Sequence, residues 1–174
     1  MQPKGLVVWL ILALLASACG AERDEPFDPG VTDDDDETVE SISVRRVISD
    51  EQPLLAIDGQ KQLLVLRDED NYFLFLDRYT DQALAFDPDF DEGQVVLIDM
   101  GDRDDNNCDY ALELQSVSAQ VIDDDAAQVN VDYAPLSVDT SEACPEEDAL
   151  SIRPFYFYFV ETRSELVIHE TVDD

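Results

Sequence analysis

The chain has 174 residues, of which 42 are Asp or Glu against 10 Lys or Arg and one His, giving a formal net charge of −32. Such a field repels a phosphate backbone, which excludes nucleic acid as a partner. The length suits a single domain and 45% apolar residues is enough for a core, so the charge does not signal disorder throughout.

In chain order, Lys4 precedes an unbroken apolar run from Leu6 to Ala16, too short to span a bilayer. Small residues follow, ending at Cys19 and Gly20. The stretch Leu15-Ala16-Ser17-Ala18-Cys19 resembles the lipobox of bacterial lipoprotein signals, with Ala16 where that family usually has Leu. The resemblance implies that residues 1–18 are a signal peptide and that Cys19 becomes the lipidated N-terminus anchoring the chain to a membrane. An ordinary signal peptide cleaved near Ala18 is the alternative. Gly20 rather than Asp after the cysteine resembles lipoproteins sorted to the outer membrane. The expected location is therefore the bacterial cell envelope, at the outer membrane. Processing removes Lys4 and the only tryptophan, Trp9, and leaves a side-chain charge of −33.

Lipidation of Cys19 resolves the odd cysteine count. Cys108 and Cys144 are then free to form a disulfide in an oxidising compartment. Closing that loop contributes about 4 kcal/mol in the chain-entropy model. Two buried free thiols are the alternative.

Residues 19–41 carry the lipidated cysteine and an acidic tether. Asp33-Asp34-Asp35-Asp36-Glu37 extends it by self-repulsion, and Pro26, Pro29 and Gly30 oppose helix. Stretched out, it reaches at most about 70 Å at about 3.3 Å per residue. From residue 42 to 174 the pattern predicts one mainly β domain, an antiparallel sheet or sandwich with one short helix. Ile42 to Val47 alternates as an edge strand does. Gln62 to Arg67 predicts a buried strand after the Asp58-Gly59 turn. Asp68 caps a helix whose apolar face is Tyr72, Phe75, Leu76 and Tyr79. Val95 to Met100 is a continuous apolar strand ending at Gly101. Tyr110, Leu112 and Leu114 share one phase, and Val117, Ala119 and Val121 share the other, so a β-bulge falls near Ser116. Asp123-Asp124-Asp125 turns the chain into Val129, Val131 and Tyr133, which Pro135 ends. Residues 136–149 form a long connection. Phe155, Phe157 and Phe159 alternate with Tyr156 and Tyr158, the pattern of a central strand buried on both faces. A turn at 162–164 leads to Leu166 and Ile168.

These packing patterns resemble the C-terminal domain of bacterial protease-complex subunit (PrcB-like) lipoproteins, over roughly residues 60–170. The pieces include Gln62 to Arg67, Phe90-Asp91 before Val95 to Gly101, Tyr110 to Leu114, Val129-Asn130-Val131 and Arg153-Pro154-Phe155. Where that family tends to have a glycine-rich turn, this chain has Asp104 to Asp109. The resemblance implies an exported, non-enzymatic accessory protein that docks or stabilises a protein partner.

One constellation suggests a ligand. Asp102, Asp104, Asn106 and Glu113 reproduce the oxygen spacing of a calcium loop, with Asn107 at the glycine position. A calcium-binding structural or adhesive module is therefore the alternative function, and calcium the one cofactor to consider. His169, the sole histidine, reads as an edge-strand residue rather than a catalytic base. No nucleophile elbow, zinc set or phosphate-binding loop accompanies it, so no catalytic residues are assigned. Tyr72, Tyr79, Tyr156 and Tyr158 are interface anchors if exposed and core residues if not. An edge strand such as 42–47 offers a route for strand addition by a partner.

Overall fold

The computed structural model describes residues 39–57, 59–104, 111–136 and 151–173, which all fall in the unit Glu37–Asp174. In order, the elements are β1 (Ser41–Ile42), β2 (Val44–Asp50), β3 (Gln62–Leu66), α1 (Glu69–Tyr79), β4 (Gln94–Asp99), β5 (Arg103–Asp104), β6 (Leu112–Asp123), β7 (Ala126–Pro135), β8 (Ser151–Ile152), β9 (Phe155–Val160) and β10 (Glu165–Val172). The protein is mainly β. One four-stranded sheet has the order β1-β6-β7-β10, the other β2-β9-β4-β3, and β5 pairs with β8 in a small ribbon.

The second sheet is the middle layer. Side chains alternate across a strand, so β9 sends Phe155, Phe157 and Phe159 to one face and Tyr156 and Tyr158 to the other. The phenylalanines, with Val95 and Leu97 of β4, pack against Tyr72, Leu76 and Tyr79 of α1. Val96, Ile98, Val160 and the two tyrosines pack against Ala127, Val129, Val131 and Tyr133 of β7. All six residues of β4 are buried, as expected of a strand covered on both faces.

Helix α1 begins where the sequence places it. Asp68 is extended (φ −144°, ψ 158°), and its carboxylate accepts from the Asn71 N–H at 2.8 Å. Glu69 and Asp70 suit the positive end, and Arg78 the negative one. The helix stops at extended Thr80, and the Leu54 and Leu55 N–H groups satisfy the carbonyls of Tyr79 and Arg78, each at 3.0 Å.

The β6–β7 hairpin shows the register shift between Leu114 and Ser116 that the change of phase implied, and a second between Val121 and Asp123. The first keeps Leu112, Leu114, Val117 and Ala119 all in the inter-sheet core. β10 pairs with β7 in parallel, whereas every other ladder among the described residues is antiparallel. The reason is topological, since the chain reaches β10 through a short turn from β9 in the opposite sheet. β3 also differs from expectation. It is an edge strand and only its last residue, Leu66, is buried.

Candidate functional site

Of the calcium candidates, Asp102 follows the positive-φ Gly101 (φ 79°) and sets one carboxylate oxygen 3.1 Å from Nη1 of Arg153. Asp104 sits opposite Ser151 in the β5–β8 ribbon. Glu113 is exposed on β6, opposite Ala134, and accepts from Nε2 of Gln115 at 3.4 Å. Asn106 lies outside the described residues, as do Cys19, Cys108, Cys144 and the acidic run 33–37. Among the described residues no three His, Cys, Asp or Glu side chains are grouped to hold a metal ion.

A buried ion pair that sequence reasoning missed sits at the joint between β4 and β9. Asp99 ends β4 with 0% exposure and Arg153 precedes β9 with 2%. Nε of Arg153 lies 2.9 Å from Oδ1 and 3.0 Å from Oδ2 of Asp99. Its Nη1 donates to the carbonyls of Ile57 (2.9 Å) and Gly59 (3.1 Å). Asp99 also accepts from the Tyr79 hydroxyl at 2.6 Å and the Gly101 N–H at 2.9 Å. Burial opposes the charge of Arg153, but hydrogen bonds and attraction to Asp99 and Asp102 outweigh it, and the pKa is raised. Burial, then the bond to Asp99, pushes the Tyr79 hydroxyl up. The cluster ties α1, β4 and β9 to the carbonyls of Ile57 and Gly59. Arg153 is thus a structural hub. The one legible signal was Asp99, a lone charge at the end of an apolar run.

Tyr72 and Tyr79 are core residues, 1% and 2% exposed. Tyr156 and Tyr158 stack inside the sandwich with ring centroids 6.4 Å apart. None of the four is a surface anchor. His169 is exposed on β10, an edge strand, as expected.

What remains is the edges. β2 is guarded, because Arg45 and Arg46 charge it, its register shifts between Arg46 and Ile48, and the Ala85 N–H binds the Val47 carbonyl at 3.1 Å. The guanidinium of Arg45 is folded over the Phe86 ring at 4.1 Å. β1 has two residues, and β10 carries Glu165, His169 and Glu170. β3, Gln62-Leu63-Leu64-Val65-Leu66, has no charge, proline or bulge, and among the described residues pairs only with β4. Natural edges are blunted by such devices, and an apolar edge without them is a template for another strand.

β3 and β10 run antiparallel along the open side of the sandwich. At one end Lys61 forms an ion pair with Glu170, with its ammonium 3.9 Å from the Tyr133 ring centroid. At the other, Arg67, Gln94, Arg163, Ser164 and Glu165 line a cleft of about 280 Å³. Gln94 is buried and donates to the carbonyls of Thr162 (3.0 Å) and Ser164 (2.7 Å), fixing the wall. Arg163 donates to the Phe90 carbonyl. The edge became visible only with the strand order, although the uncharged run between Lys61 and Arg67 is readable in the chain.

No protein-family model, curated protein or solved structure matches the chain. No helix among the described residues is long and apolar enough to cross a membrane.

Proposed function

We propose that this is a lipid-anchored protein of the bacterial envelope that binds an exported protein partner and catalyses no reaction. The observation that carries the reading is the apolar edge of β3, unguarded among the described residues, whose other sheet edges are short, charged or covered. Strand addition there gives affinity through main-chain hydrogen bonds and needs no catalytic group. The lipobox-like sequence ending at Cys19 supports the anchor, and the acidic stretch between Cys19 and β1 supplies reach from the membrane. The PrcB-like packing pattern of residues 60–170 supports an accessory role in a complex.

The test is affinity purification of the lipidated protein after crosslinking in its native membrane, followed by proteomics. A stoichiometric exported partner is expected. Replacing Cys19 by Ser should release the protein from the membrane fraction while leaving that partner bound in solution. Retention in the membrane after Cys19→Ser contradicts the anchor, and the absence of any enriched exported protein contradicts the accessory role.

A further inference from the structure

We infer that the cleft at the end of β3 receives an acidic side chain of the partner strand and so sets its register. This rests on strand addition at β3. The lining carries two guanidiniums, Arg67 and Arg163, and one carboxylate, Glu165. The local charge is therefore +1 on a chain of net charge −32. Among the described residues neither arginine forms an ion pair. One further carboxylate neutralises the cleft, and the planar guanidinium fork matches that group with two parallel hydrogen bonds.

The rest of the surface strengthens the selectivity. A field of this sign repels an acidic segment nearly everywhere, so the segment is held only where cations gather. At the opposite end of β3, Lys61 is already engaged by Glu170. The two ends are thus unequal, and an acid finds a partner at the Arg67 end alone. The incoming strand adds antiparallel, the more stable pairing. It therefore places its N-terminal residue in the cleft and its alternating apolar residues along Leu63 to Leu66. The partner is an extended segment in which Asp or Glu leads a short apolar run.

A display library of random peptides, fused at both ends so that no terminal carboxylate is free, tests this on the full-length protein. Selected sequences should carry an acid ahead of alternating apolar residues. A selected peptide, resynthesised with both ends blocked, should slow amide exchange at residues 62–66. Arg67→Gln, Arg163→Gln and replacement of the peptide acid by its amide should each weaken binding at least about tenfold, the scale of one charge-assisted contact. Arg67 is exposed and no hydrogen bond holds it among the described residues, so Arg67→Gln should keep the parent melting temperature and alone suffices for the test; Arg163→Gln also gives up the bond to the Phe90 carbonyl. Peptides that slow exchange at 62–66 but bind equally well without the acid would overturn the carboxylate cleft while leaving strand addition standing. A library yielding no peptide that slows exchange there would overturn both.

Discussion

Replacing Arg153 by Met probes the joint between β4 and β9. Methionine fills much of the space but leaves Asp99, 0% exposed, with no cation. The Tyr79 hydroxyl and Gly101 N–H still donate to it, while the carbonyls of Ile57 and Gly59 lose a donor. Breaking a buried pair from one side costs about 3–5 kcal/mol, because the remaining charge stays desolvated. Against a total stability of about 5–15 kcal/mol, that is a large share, equivalent to a drop in Tm of about 10–20 °C for a domain of this size. Urea unfolding should be followed by circular dichroism and tyrosine fluorescence, since Trp9 lies in the expected signal peptide. Adding Asp99→Asn removes the stranded charge and keeps an acceptor for Tyr79. The double variant should therefore recover about 1–2 kcal/mol relative to Arg153→Met. A loss below about 1 kcal/mol for Arg153→Met, or a double variant as unstable as the sum of the singles, would refute the buried-pair account.

Other perturbations have equally definite outcomes. Burial, then the negative charge of Asp87, pushes the Tyr72 hydroxyl up to about 12. Burial also raises Tyr79 and Tyr133, with Asp99 and Glu170 adding to the effect. A folded pKa above the unfolded value of about 10 stabilises fully below pH 10 and ceases to do so as pH climbs past the folded value. Tyr72 alone then accounts for about 3 kcal/mol. Cooperative alkaline unfolding is expected between about pH 10 and 12, with tyrosine ionisation and near-ultraviolet circular dichroism changing together; smooth independent ionisation near pH 10 counts against it. Gly93→Ala should cost about 1–3 kcal/mol in urea unfolding, since a Cβ there meets the Val160 carbonyl oxygen at 2.4 Å and the Phe159 ring at 2.5 Å. Sodium chloride should raise Tm by screening self-repulsion among the carboxylates, and a flat profile up to molar salt contradicts that.

The elements legible in the chain are those set by local periodicity. Asp68 and the Tyr72, Leu76, Tyr79 stripe place α1, because capping and the helical repeat act within a few residues. The Phe/Tyr alternation of β9 shows two buried faces for the same reason. The bulge after Leu114 is visible because a one-residue slip reverses every later side chain. Strand order is not local. Gln62 to Leu66 has the apolarity of an interior strand, and only pairing on one side alone makes it an edge. The parallel pairing of β10 depends on a crossing between sheets that no short window records. Arg153 is likewise unreadable, since its carboxylate partner is 54 positions away. The cleft follows the same rule. Arg67 and Arg163 are far apart in sequence and meet because β3 and β10 lie along one opening. The calcium spacing shows the reverse, since oxygens at regular intervals arise easily in so acidic a chain. Here Asp102 turns to Arg153 while Glu113 faces solvent on β6.

The central claim is that a partner docks on β3. A photo-crosslinking side chain placed at Gln62, on that edge, should capture one exported protein when activated in the native membrane. The same group at Ser118, exposed on β6 in the other sheet, should not. Capture at Gln62 alone is the predicted result; equal capture at both positions, or capture only at Ser118, would contradict it.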